Sequence, residues 1–146
     1  MVDIGCLQPA DRARWAELWR DYLAFYETAL PDAQYDLTWQ RLQDGRMHGR
    51  VARDAAGRIV GLTHYLFHEH GWIAGPACYL QDLFVEPEAR GSGSGRALIE
   101  AVAEAARQAG AGRLYWLTQE GNHAARQLYD RLARNSGFVV YQYPLA

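Results

Sequence analysis

The chain has 146 residues, with 15 basic against 17 acidic side chains for a formal charge of −2, 49% apolar and 12% aromatic. At this size folding removes roughly 68% of the unfolded chain's surface from water, enough for one core, so a single domain over residues 1–146 is expected and a second is excluded. No apolar run approaches the ~20 residues of a membrane span, the start lacks the basic-plus-apolar pattern of a secretory signal, and neither half is basic enough for nucleic acid; a cytoplasmic protein with no membrane or nucleic-acid partner is expected.

In chain order, Trp15, Leu18, Trp19, Tyr22, Phe25 and Tyr26 recur at spacings of three and four, which predicts an amphipathic helix from Pro9 to about Thr28. Pro31-Asp32 breaks it, and a second helix is expected from Leu37 to Gln43, ended by Asp44-Gly45. Val51 to Arg53 and Ile59 to Phe67 read as a hairpin joined by Asp54 to Gly57. Tyr79 to Val85 is an apolar strand stopped by Pro87. A glycine run then leads into a helix from about Gly95 to Ala109, closed by Gly110. Arg113 to Thr118 reads as a strand. Asn122 suits the N-cap of a helix carrying Ala125, Leu128, Tyr129 and Leu132 on one face, and Phe138 to Tyr143 is a last strand. The pattern is an α/β sheet of mixed direction, with strand–helix–strand crossovers in the second half.

Cys6 and Cys78 have no metal-knuckle spacing and are expected to be reduced. All 15 basic residues are Arg. Residues 1–45 hold eight acids and four Arg, while 46–146 hold nine acids and eleven Arg, a split that hints at a cationic ligand on one side and an anionic one on the other.

Arg90-Gly91-Ser92-Gly93-Ser94-Gly95-Arg96 lies between a buried strand and a helix, where backbone N–H groups can converge on a phosphate or pyrophosphate. A nucleotide P-loop needs Gly-Lys-Ser/Thr, and the chain contains no Lys. A dinucleotide loop needs a third Gly where Arg96 stands and an acid about 20 residues on, where Leu114 to Thr118 offers none.

The remaining design is an acetyl-CoA loop. Arg90, Gly93 and Gly95 match the Arg/Gln-x-x-Gly-x-Gly/Ala signature of the GNAT superfamily of N-acetyltransferases. With Leu80-Gln-Asp-Leu-Phe-Val85, Pro87, Leu98-Ile99, Tyr115 to Thr118, Asn122-His123, Leu128-Tyr129 and Gly137-Phe138, the chain resembles the branch of diamine and histone/polyamine acetyltransferases. The likeness is specific over residues 79–143 and loose before them. It implies a mixed, mostly antiparallel sheet flanked by helices, with a splayed central strand pair. It also implies acetyl-CoA as co-substrate and direct attack of a primary amine on the thioester; dimers are common among such proteins, and the aromatic-rich strand Val139 to Tyr143 could mediate a homodimer. By the same carry-over, backbone of Leu83, Phe84 and Val85 would hold pantetheine, Gly91 to Arg96 with Arg90 the pyrophosphate, and Asn122 the pantetheine amide. Tyr129, seven residues after Asn122, would be the acid for the leaving thiolate: a phenol of pKa near 10 stays protonated at pH 7 and can protonate a thiolate whose thiol is near 8.5.

The branch commonly carries Glu-Asp where this chain has Gln81-Asp82. An amide cannot accept the proton, so Asp82 is the expected base, with Glu69, His68, His70, Glu120, His123 or a water chain in reserve. Strand alternation sets Gln81 and Asp82 on opposite faces unless a bulge intervenes. His64, His68 and His70 share a strand face, but His64 and His68 would be about 13 Å apart, too far to chelate one metal, and no metal is expected. The acceptor is expected near Tyr22, Tyr26, Glu27, Tyr35, Asp36 and Gln81, since aromatic and acidic groups suit an organic cation such as a polyamine or a peptide Lys. The alternative is a non-catalytic acyl-CoA-binding regulatory module, which the Gln at position 81 would suit.

Overall fold

A computed structural model describes residues 2–146, and these divide into two compact units, 2–116 and Leu117–Ala146. The first is built on a five-stranded sheet in sequence order: β1 (Asp3–Cys6), β2 (His48–Arg53), β3 (Ile59–His68), β4 (Ala77–Val85) and β5 (Arg113–Tyr115). All neighbours are antiparallel except β4 with β5. Helices α1 (Arg12–Phe25) and α2 (Asp32–Gln43) cover one face and α3 (Ser94–Gln108) the other.

Register explains the layering. Val51, Leu62 and Phe84 form one cross-strand row and pack with Trp15, Leu18, Trp19 and Leu23 of α1 and Tyr35 and Trp39 of α2. The alternate residues Ala52, Val60, Leu83 and Val85 turn to Leu98 of α3, as period-2 alternation requires. A Cβ at Gly61 would stand 3.2 Å from Leu98 Cδ1 and 3.1 Å from the Phe84 carbonyl oxygen, so glycine there lets α3 lie close to the sheet.

Helix α1 ends where Glu27 turns left-handed at φ 55°, with Thr28 N–H donating to the Leu23 carbonyl at 2.9 Å and Glu27 N–H to that of Ala24 at 2.9 Å. This is a Schellman closure with a non-glycine residue in its strained position. The second helix begins at Asp32, five residues before the expected Leu37. Pro31 does not break a helix here; it is extended at the N-cap, and Asp32 follows in the first turn, where the helix dipole favours an acid.

A buried ion network ties α1 to the sheet. Glu86, 7% exposed, accepts from Arg14 at 2.7 Å and Arg58 at 2.5 Å. Burial alone would raise the Glu86 carboxyl, but the hydrogen bonds from Arg58 and Arg14 outweigh it and hold the group below its ordinary value. A carboxyl depressed in the folded state stabilises the fold above the unfolded carboxyl range and loses that contribution as pH falls through the folded value. Glu86→Gln is therefore expected to cost about 1–3 kcal/mol at pH 7. In denaturant titrations, the gap from wild type should hold down to about pH 5 and shrink below about pH 4.5; a gap independent of pH would refute it.

The second unit contains α4 (His123–Leu132) followed by chain without regular structure. The strand expected over Phe138 to Tyr143 is not formed: Phe138, Val139, Tyr141 and Tyr143 are 81%, 76%, 91% and 88% exposed. Its apolar pattern signals a face to bury, but a strand exists only on a partner edge, and residues 138–143 pair with no strand among the described residues. The strand expected to reach Thr118 stops at Tyr115.

Candidate active site

The site is made by a defect in β4. His64 pairs with Asp82 but Tyr65 pairs with Leu80, so Gln81 is an extra residue, bulged and exposed. Residues three apart on a regular strand face opposite ways; the bulge resets the alternation and turns Tyr79 and Asp82 to the same face, beneath α1.

There Asp82, 7% exposed, has both carboxylate oxygens engaged. The Tyr22 hydroxyl donates to Oδ1 at 2.9 Å, and His64 Nδ1 lies 3.0 Å from Oδ2. Thr63 Oγ1 donates to the Asp82 carbonyl at 2.7 Å, fixing the backbone. The Tyr26 ring meets that of Tyr22 edge-on at 5.1 Å, and Trp19 stacks on the other side of Tyr22 at 5.0 Å.

Three phenols report the carboxylate. Burial, then the charge of Asp82 and the hydrogen bond to it, push the Tyr22 hydroxyl far above its ordinary value. Burial and then Asp82 raise Tyr26 and Tyr79 as well. These hydroxyls stay protonated, and that of Tyr22 donates to Asp82. The arrangement is a negative centre ringed by aromatic surface, which suits an organic ammonium group by charge and by cation–π contact.

Beside it, β4 and β5 pair only over Ala77 to Tyr79, leaving the edge from Leu80 to Val85 without a strand partner on that side among the described residues. The Leu83 and Val85 side chains turn to α3 and Phe84 to α1, so this edge offers backbone to a ligand. Beyond it, Gly91 and Gly93 take φ 83° and 85° with nothing within 4 Å of an added Cβ; the conformation, not crowding, demands glycine. Gly93 is the N-cap of α3, whose first N–H groups open toward the loop. Ser92 Oγ donates to the Ala89 carbonyl at 2.5 Å and shares a hydrogen bond of 2.7 Å with buried Ser94. An unpaired strand edge running into a glycine loop at a helix N-terminus fits a ligand with an extended amide chain and a pyrophosphate.

The remaining expected residues fall in various places. Arg90 Nε donates to the Val85 carbonyl at 3.0 Å, and Arg96 pairs with Glu100 at 2.9 Å along α3. Gln81 is exposed on the bulge, and Glu27 is exposed at the α1 closure. Tyr35 is 8% exposed in the core, edge-on to Trp15 at 6.3 Å, and Asp36 is paired with Arg12 on the surface. Tyr22, Tyr26 and Asp82 are thus brought together, whereas Tyr35 is committed to packing. His68 Nε2 lies 2.7 Å from the Tyr115 hydroxyl and His70 Nε2 2.9 Å from Arg113, while His64 is turned inward to Asp82. In the second unit Asn122 precedes α4 but makes no side-chain cap; its Nδ2 donates instead to Thr118 Oγ1 at 3.4 Å. Tyr129 lies on the half-buried stripe of α4 with Ala125, Leu128 and Leu132. The reading from sequence passed over Tyr79 and the Trp15–His64 pair, which only strand register and helix packing bring to Asp82.

Comparison with known proteins points the same way. The model of the Acetyltransferase (GNAT) family matches residues 15–133. A D-amino-acid N-acetyltransferase of Saccharomyces cerevisiae is 34% identical over 144 residues, 97% of this chain and 89% of that one. An aminoglycoside N(6')-acetyltransferase of Stenotrophomonas maltophilia is 37% identical over 70% of this chain and 65% of its own. Among solved structures, a ribosomal-protein-alanine N-acetyltransferase of Brucella melitensis has the same fold, with TM-score 0.84 at 23% identity over 99% of both chains. Taken with the split sheet edge and the glycine loop, these matches establish that the chain belongs to the GNAT family and is an N-acetyltransferase that moves an acetyl group from acetyl-CoA to an amine.

Proposed function

We propose that the acceptor is a small cationic primary amine, with a peptide Lys as its macromolecular counterpart, and that its ammonium group is received among Tyr22, Tyr26, Tyr79 and Asp82. The observation that carries this is the buried Asp82 carboxylate ringed by phenols. The relatives named for D-amino acids and aminoglycosides, and a thialysine N-epsilon-acetyltransferase of Bos taurus 38% identical over 51% of this chain and 43% of its own, all take amines, which supports the class. Glu27 and Gln81, both exposed, are kept as rim residues for the rest of the acceptor. Tyr35 and Asp36 are left out, because packing and an Arg12 pair already occupy them.

In this reading Asp82 takes one proton from the acceptor ammonium, and the freed amine attacks the thioester carbonyl within a ternary complex. The C–S bond breaks as the C–N bond forms. The thiolate takes its proton from Tyr129, the role the family likeness gives it; the second proton lost by the amide nitrogen restores that phenol, and the proton on Asp82 is released to solvent, one per cycle. Backbone of Leu83 to Val85 and the amides of Gly91 to Arg96 hold acetyl-CoA, with Arg90 beside the loop and Asn122 on the pantetheine amide. The exposed apolar run from Phe138 to Tyr143 supports a homodimer, and a cytoplasmic location accords with the lack, among the described residues, of a helix long and apolar enough to cross a membrane.

Thiol release from acetyl-CoA over a panel of polyamines, free amino acids, aminoglycosides and Lys peptides tests the acceptor class. Turnover is expected on at least one cationic primary amine, with the acetyl group on nitrogen by mass spectrometry. Turnover confined to hydroxyl or uncharged acceptors would contradict the proposal.

A further inference from the structure

His64 is fully buried, and nothing in the acetyl-transfer reading uses it. Its two ring nitrogens are nevertheless both committed, and in a defined sense. Trp15 Nε1, from α1, lies 2.9 Å from His64 Nε2. An indole N–H can only donate, so Nε2 is the bare nitrogen and the ring proton sits on Nδ1. That nitrogen faces Asp82 Oδ2 at 3.0 Å across the β3–β4 pair, where the two residues are direct partners. The hydrogen bonds therefore run one way, from Trp15 to His64 and from His64 to Asp82, and the Tyr22 hydroxyl closes on the other oxygen.

Packing does not require this. Trp19 is buried against the same imidazole, 4.9 Å between ring centres, yet its Nε1 has no hydrogen-bond partner among the described residues. The Trp15 bond is specific, and its consequence is that His64 offers Asp82 a proton donor and no lone pair. A proton taken up by Asp82 cannot pass inward and must leave toward the acceptor side.

We propose that His64 is a positioning residue for acetyl transfer: held by the Trp15 indole N–H in its Nδ1–H form, it fixes Asp82 as the carboxylate that receives the acceptor's proton. The proposal rests on the reading of Asp82 as base.

The test compares His64→Leu, His64→Asn and Trp15→Phe with Asp82→Asn, reading kcat, KM for acetyl-CoA and thermal midpoint on the best amine of the panel. Leucine fills the space without a donor. The Asn amide nitrogen falls where Nδ1 was and restores the donor, while leaving the Trp15 N–H unpartnered. His64→Leu is expected to lower kcat roughly 10- to 100-fold, the scale of losing a hydrogen bond to a charged group, with KM for acetyl-CoA within about twofold. His64→Asn should recover most of that rate even if its thermal midpoint is the lower of the two. Trp15→Phe, which removes the N–H that pins the tautomer, should fall between them. If kcat simply follows thermal midpoint across the set, or if Leu and Asn are equally active, His64 is packing and the proposal is overturned. If Asp82→Asn keeps full activity, the base reading fails and takes the proposal with it; if Asp82→Asn is inactive while His64→Leu keeps kcat within about threefold of wild type, the base stands and only the positioning role falls.

Discussion

Replacing Asp82 by Asn is expected to lower kcat roughly 10²- to 10⁴-fold, the range attributed to a positioned general base, with KM for acetyl-CoA within about twofold. The substitution suits the purpose because it is nearly isosteric. An amide oxygen set toward His64 still accepts from Nδ1, and the Tyr22 hydroxyl, which now donates to Oδ1, can rotate to accept from the amide nitrogen. The network around the side chain survives, so the lost rate belongs to the lost lone pair and not to a collapsed pocket. Steady-state kinetics with thermal denaturation as the folding control checks this; a loss below about threefold would place the base elsewhere, with Glu69 and His68 next in line.

Trp15→Ala is expected to be the most damaging single truncation in the core, costing about 3–5 kcal/mol. Trp15 is fully buried and touches four rings: Trp39 at 5.1 Å, His64 at 6.0 Å, and Trp19 and Tyr35 at 6.3 Å each. It joins α1, α2 and the sheet in one contact, and its removal also strands His64 Nε2 in the interior. Against a total stability of about 5–15 kcal/mol, such a loss lowers the thermal midpoint by on the order of 10 °C. Urea titration gives the number directly, and a cost under about 1 kcal/mol would mean the cluster repacks around the void.

Both residues show what a linear reading reaches and what it does not. The glycine loop was legible because its constraint is local: positive φ at Gly91 and Gly93 and a helix starting at Ser94 are written in neighbouring residues. Asp82 was legible as a carboxylate in an apolar strand, but its face depends on a bulge visible only in the pairing of β3 with β4. His64 looked like one of a row of strand histidines. Its actual partners come from α1, 49 positions earlier, and β4, 18 positions later. Tyr35 lies in α2 and Tyr26 caps α1, and composition cannot say that the first is committed to the core while the second stays half-buried against Tyr22. The charge split is a coarser guide: Asp36 is paired with Arg12, and the carboxylate that Tyr22 bonds is Asp82, from the other part of the chain. Phe138 to Tyr143 carries a strand pattern but pairs with no strand among the described residues; alternation records a face that needs covering and not what covers it.

The most direct measurement of the whole account is kcat for wild type and Asp82→Asn over a series of primary amines of similar size and falling basicity. An amine already neutral at the assay pH has no ammonium proton to surrender. The deficit of Asp82→Asn should therefore be largest for alkylamines and shrink by at least about tenfold for amines whose conjugate acids lie well below pH 7. A deficit that stays the same across the series would show that Asp82 does something other than take the acceptor's proton, and would contradict the account.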